Sequence, residues 1–306
     1  MASILWSMGF PTIFRQVSGL VQGSALVLIC FAACLVMAQN QPVTLVPSLI
    51  EAGSPVLIHV EASPDTRLEG DWLGRNLQFF PARSGHGWYA LAGVDVEAAA
   101  GASSLRIVAR TGRTVRDLSR DAEIYPAHYR TGTLSVAPKF VEPSPDALKQ
   151  IAEDSKLKAR VFANSAPQPL WAGSFRAPVT APPTDSFGTR RTFNGKLASV
   201  HKGMDFRAGI GTPVRAGNSG VVVLARPLYY EGNCVVVDHG LGVFTLYLHF
   251  SRIDVQEGQQ VSAGDRLGLS GATGRVTGPH LHWAVRWEGA YLDPAKLLRL
   301  ELGGVR

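Results

Sequence analysis

Hydrophobic and polar positions alternate in short runs over much of this chain. Val56, Ile58 and Val60 fall on one side of a predicted strand while Leu57, His59 and Glu61 fall on the other, and Leu105, Ile107 and Ala109 repeat the pattern. Turn clusters at Ala62-Ser63-Pro64-Asp65 and Thr111-Gly112-Arg113 bound these runs. Together they predict a small antiparallel β-sandwich over residues 39–130. The pattern then changes. Pro143-Ser144-Pro145-Asp146 reads as a helix start with Asp146 as cap, and Leu148, Ile151, Leu157 and Val161 recur along one face as far as Phe162. One connecting helix is therefore expected in a linker over residues 131–170. Residues 164–184 carry five prolines and little periodicity, which predicts an extended crossing.

Alternation returns after Gly211, in Val221 to Leu224, Cys234 to Val237, Val243 to Phe250 and His280 to Trp287, with glycine-rich turns between. Residues 171–306 are thus expected to form an antiparallel β-rich domain, and the whole chain to be all-β. Composition agrees: 32 glycines and 19 prolines with only 18% charged residues favour strands and turns over helical bundles. A chain of 306 residues with 46% hydrophobic content can fill two ordinary cores.

Charge and the N-terminus narrow the setting. Residues 171–306 hold 15 basic and 10 acidic side chains, so most of the net +6 lies there. That excess suits an anionic partner such as a cell-wall polymer, and a plain solvated surface accounts for it equally. No Lys/Arg run of the kind that tracks nucleic acid occurs, so no nucleic-acid partner is expected. Nothing sets the oligomeric state. The apolar run from Ser24 to Ala38 follows Arg15 and ends in Val36-Met37-Ala38, which reads as a signal peptide over residues 1–38. Counted back to Val17, residues 17–38 could instead serve as an uncleaved membrane anchor, and Phe31-Ala32-Ala33-Cys34 makes a poor lipobox. Either way the chain is expected to be exported, to the periplasm or cell envelope. Cys30 and Cys34 lie in this segment, which leaves Cys234 without an internal disulfide partner.

Five of the eight histidines fall within residues 201 to 282. His201 and Asp205 place an imidazole and a carboxylate four residues apart, and His280-Leu281-His282 offers two imidazoles on one face of a strand. Zinc accepts such nitrogen and oxygen donors, and a catalytic zinc keeps three protein ligands and an open fourth position.

These residues, with Tyr247-Leu248-His249, resemble the signature of the lysostaphin-type, or LytM-like, zinc endopeptidases. The likeness extends through Phe187-Gly188-x-Arg190, Gly203-Met204-Asp205-Phe206, Gly211-Thr212-Pro213-Val214, Val237-Asp238-His239-Gly240 and Gly278-Pro279-His280-Leu281-His282, covering residues of about 171 to 298. The resemblance implies that His201, Asp205 and His282 ligate Zn2+ and that His249 and His280 are the catalytic pair. It implies an endopeptidase that hydrolyses peptide bonds of peptidoglycan stem peptides or cross-links. A thermolysin-like site would need His-Glu-x-x-His, which is absent. The D-Ala-D-Ala carboxypeptidases usually place their Asp further from the first His, so the His201 to Asp205 spacing disfavours them. Two other readings stay open: a non-catalytic LytM-like adaptor that binds wall or activates an amidase, and a peptidase of exported proteins.

Other residues have plainer expectations. His239 lies in an Asp-His-Gly turn outside the catalytic set and reads as structural. Tyr247 shares a face with His249 at i and i+2, where aromatic packing and a catalytic hydroxyl are both open. Asn194-Gly195 is a hairpin signal. His59, His86 and His128 are scattered through the first domain. Gly87-Trp88-Tyr89-Ala90-Leu91 and Ile50-Glu51-Ala52-Gly53 resemble, more weakly, the β-sandwich that precedes the catalytic domain in some exported members.

Overall fold

The computed structural model describes residues 42–195 and 197–302. The expected signal peptide or anchor lies outside them, and among the described residues no helix is long and apolar enough to cross a membrane. The fold is all-β apart from the helices Pro145–Phe162 and Pro294–Arg299 and a short 3-10 turn.

The first region is built from two sheets. Val43–Val46, Pro55–Val60, Trp88–Gly93 and Phe80–Pro81 form one, and Gly101–Thr111 is central to the other. Alternation decides which side chains enter the core between them: Val56, Ile58, Val60, Leu105, Ile107 and Ala109 are all buried. The sandwich is not wholly antiparallel, because Ile50–Glu51 runs parallel to Arg120–Tyr125. A two-residue strand carries too little pattern to reveal its direction.

The linker holds more structure than one helix. Thr131–Leu134 pairs in parallel with Arg190–Phe193, and a 3-10 turn covers Pro138–Phe140. The long helix spans Pro145–Phe162, but its cap is Ser144, whose hydroxyl accepts from the Ala147 amide, with Pro145 following it in the first turn. Asp146 sits one step inside, in the first turn, and pairs with Lys149. Leu148 is 54% exposed, so the apolar face narrows to Leu157, Val161 and Phe162, which pack on Leu224, Val236, Phe244 and Leu246.

The C-terminal sheet runs in the order Pro183–Asp185, Met204–Phe206, Leu281–Trp287, Val243–Ile253, Gly232–Asp238, Gly220–Leu228 and Gln260–Val261. Register fixes its two faces. Asp205, His282 and Leu248 form one row across three strands, and Met204, Trp283 and Tyr247 form the next. Directly opposed side chains share a face, so the first row opens on a cleft and the second points into the core. That core is continuous with the sandwich core. Tyr129 Oη donates to the Ala52 carbonyl at 2.7 Å, the Asp293 amide to the Gly53 carbonyl at 2.8 Å, and Lys296 pairs with Glu51 at 2.6 Å.

Candidate metal and catalytic site

A cleft of about 1130 Å³ runs over the Leu246, Leu248 and Ala284 side of the sheet, and His201, Asp205, His249, His280 and His282 all line it. Asp205 and His282 come from neighbouring strands in register. His201 precedes the Asp205 strand, and its backbone is pinned to the chain before the Asn194 hairpin: its amide donates to the Thr189 carbonyl and its carbonyl accepts from the Gly188 amide, each at 2.8 Å. Gly203 makes the close approach of the third ligand possible, since a Cβ there would sit 2.4 Å from His282 Nε2.

The donor atoms form a tight triangle. His201 Nε2 lies 3.0 Å from Asp205 Oδ1 and 3.0 Å from His282 Nδ1, and the last two are 2.9 Å apart. Proton placement shows what this arrangement lacks. His201 Nδ1 faces the Ser186 carbonyl at 3.0 Å, so it carries the proton and leaves Nε2 as a bare lone pair. That lone pair points at a carboxylate oxygen. A buried cluster of acceptors is completed by a cation. The donor set, two imidazoles and a carboxylate, suits zinc, and the edges compare with about 3.3 Å between donors around a tetrahedral ion with bonds of about 2.0–2.1 Å. Three ligands would leave one position open.

Asp205 is held from behind. Arg191 Nη2 donates to Asp205 Oδ2 at 2.9 Å, while Arg191 Nε donates to Asp185 Oδ2 at 3.1 Å. Thr189 Oγ1 in turn donates to Asp185 Oδ1 at 2.9 Å. This chain of contacts leaves Asp205 Oδ1 directed at the two imidazoles. Neither Asp185 nor Arg191 had a sequence signal. Their neighbour Arg190 belongs to the motif-bearing stretch, yet it is Arg191 whose side chain reaches Asp205, because alternation along Arg190–Phe193 sends successive side chains to opposite sides.

His249 and His280 stand beside the triangle, with ring centroids 4.8 Å apart. His249 Nδ1 donates to the Thr273 carbonyl and His280 Nδ1 to the Gly278 carbonyl, each at 2.8 Å, so both rings keep a bare Nε2. Burial first, then the neighbouring His282 and His280 rings, lowers the His249 pKa to about 3, and the ring is neutral at neutral pH.

The expected face-sharing of Tyr247 and His249 does not hold. His249 adopts φ +68°, and the pairing of Val243–Ile253 with its neighbours shifts around it. This break in alternation puts His249 on the cleft side with Leu248. Tyr247 stays fully buried on the core side, where its Oη accepts from the Gly217 amide at 2.8 Å. The Thr245 hydroxyl links Tyr247 to His239 Nε2, and the Ser219 carbonyl holds His239 Nδ1 at 2.7 Å. His239 is thereby satisfied at both nitrogens and does not line the cleft. Asn194 turns the hairpin at φ +50° and clasps the Val136 backbone through Oδ1 and Nδ2.

Comparison with known proteins follows the same outline. Residues 199–294 match the model of Peptidase family M23. The peptidoglycan DD-endopeptidase ShyA of Vibrio cholerae is 50% identical over 101 residues, 33% of this chain and 24% of its own. The DD-carboxypeptidase/endopeptidase Mpg of Neisseria meningitidis is 42% identical over 98 residues, 32% of this chain and 23% of its own. The matched stretch thus spans about a quarter of these relatives' length. A structure from Pseudomonas aeruginosa assigned to peptidase M23 is similar over 85% of this chain and 96% of that one, with 26% identity and a TM-score of 0.61. That likeness takes in the sandwich as well as the site. Residues 199–294 of this chain are a peptidase family M23 domain.

Proposed function

We propose that the protein is a zinc-dependent endopeptidase that hydrolyses peptide bonds in peptidoglycan stem peptides or cross-links at the cell envelope. The observation that carries this reading is the convergence of His201 Nε2, Asp205 Oδ1 and His282 Nδ1 beside two further histidines with bare Nε2 atoms in one cleft. The names of the DD-endopeptidase relatives support the choice of wall peptide as substrate.

His201, Asp205 and His282 would hold the zinc, which when bound polarises a scissile carbonyl and acidifies water at the open position. His249 and His280 do the proton work. Each is fixed by a backbone carbonyl at Nδ1 and presents Nε2 to the cleft, so each can accept a proton from the attacking water and return it to the leaving amine. The walls of the cleft bring the peptide to these atoms and limit its contact with bulk water.

Purified wall incubated with the protein should release uncross-linked muropeptides, with a chelator abolishing release and zinc restoring it. New amines and carboxylates should appear in equal number while the glycan strands stay whole, since the site lacks the paired carboxylates of a glycosidase. Binding to wall or stimulation of an added amidase without any cleavage would favour the adaptor reading. Cleavage of exported proteins but not of wall would favour the third.

A further inference from the structure

The loop between Ser270 and His280 carries one arginine, Arg275, that takes no part in the chemistry described above. Gly274 turns this loop at φ +76° so close to Gly232 that a Cβ would lie 2.3 Å from the Gly232 amide nitrogen. The next residue is Arg275, whose amide donates to the Tyr230 carbonyl at 2.8 Å. Its guanidinium then lies between two rings, 4.5 Å from the Tyr230 centroid and 4.6 Å from the Phe193 centroid. Phe140 of the linker backs Tyr230 with centroids 6.4 Å apart. Stacking fixes the plane of a guanidinium and leaves its N–H edge free for a partner.

No partner fills that edge among the described residues. Arg275 makes no side-chain hydrogen bond and no carboxylate lies within 4 Å of it, although it is half-buried in the cleft wall. Glu231, which follows Tyr230 in the chain, is taken by Lys158 of the linker helix. The other cations of the cleft differ: Arg191 is held by Asp185 and Asp205, Lys202 pairs with Glu97 at 3.1 Å, and Arg190 is exposed. A half-buried guanidinium held between two rings, with no carboxylate within 4 Å, matches a planar carboxylate. Its position in chain is also telling, because Thr273, two residues earlier, supplies the carbonyl that orients His249.

We propose that Arg275, clamped between Phe193 and Tyr230, is the residue that recognises a free carboxylate of the peptide substrate, setting a preference for acidic over amidated peptides. This rests on the peptidase reading above. The zinc-loaded full chain should bind a stem-peptide fragment carrying free carboxylates about tenfold more tightly than the same fragment amidated, as one charge-assisted bidentate contact allows. Calorimetry on Arg275→Gln should find the two fragments bound within about twofold of each other, with Arg275→Lys in between because it keeps the charge and loses the fork. In hydrolysis of the acidic peptide, Arg275→Gln should raise KM about tenfold and leave kcat within about twofold. Zinc content and thermal midpoint of both variants establish that the fold persists.

Discrimination that survives in Arg275→Gln would place the carboxylate elsewhere and overturn the proposal, as would an equal loss of both fragments, which marks a packing role. Competition by inorganic phosphate as strong as by the acidic fragment would mean a general anion site, and also overturns it. If the wild-type chain cleaved nothing yet discriminated through Arg275, the peptidase reading would fall while this one stood.

Discussion

The two faces of the Val243–Ile253 strand treat histidine in opposite ways. On the core face His239 has both ring nitrogens engaged and belongs to a closed relay of Ser219, Thr245, Tyr247 and Gly217. On the cleft face His201, His249 and His280 each tie Nδ1 to a backbone carbonyl and leave Nε2 to a shared space. Burial does not separate them, since His239 is 0% exposed, His201 3% and His249 6%. What separates them is the unspent lone pair. A closed relay stabilises a core, whereas an open one needs a metal ion, a proton or a substrate to complete it.

The strongest way to break this contrast is to remove a member of the triangle. His201→Ala or His282→Ala should lower zinc from about one per chain to a small fraction of that, by metal analysis, and abolish hydrolysis. Undiminished zinc in both variants would remove the ligand assignment. Occupancy of the wild-type chain should also weaken in acid, because a proton competes with the metal for the same imidazole lone pair.

Next in size, His249→Ala and His280→Ala should keep their zinc and lose rate by about 100-fold or more. Near wild-type turnover in either variant would show that the ring only orients its neighbours. Smaller again, Arg191→Gln should weaken zinc binding by about tenfold, because Asp205 loses the donor that aims it. A chelator competition assay reads this directly, and unchanged affinity would make Arg191 a purely architectural residue.

The core face should leave the rate untouched and answer in stability instead. Burial lowers the His239 pKa to about 4, from an ordinary value of 6.5. Below pH 6.5 the unfolded chain takes up a proton that folded His239 refuses, so stability should fall from there and level off near pH 4. The loss amounts to roughly 3 kcal/mol if the whole difference is expressed. Denaturant midpoints from pH 7 to 4 for the wild type and His239→Gln should differ in slope, and parallel curves would dispose of the assignment.

The strands and the five candidate residues were legible in sequence because both depend on local rules. Alternation marked Val56 to Val60 and Leu105 to Ala109, and short spacings marked His201 with Asp205 and His280 with His282. What escaped depends on contacts distant in sequence or on breaks in the period. His249 reaches the cleft through one residue of positive φ that no alternation pattern predicts. Arg191 matters because of Asp185 and Asp205, and Arg275 because of rings 45 and 82 positions away in the chain. The helix cap moved from Asp146 to Ser144, since either residue type can serve and only the backbone turn decides.

The continuous core shared by the sandwich and the C-terminal sheet carries a consequence for how the molecule comes apart. Trp171 meets Phe80 edge-on at 5.7 Å, a Cβ on Gly93 would strike the Leu292 side chain at 2.3 Å, and the strand Thr131–Leu134 borders Arg190–Phe193. Because one apolar core runs through both regions, heating should give one calorimetric transition whose van't Hoff and measured enthalpies agree, not two. A fragment cut at residue 171 would therefore begin with apolar surface uncovered and a strand edge unpaired, which makes self-association its most accessible fate.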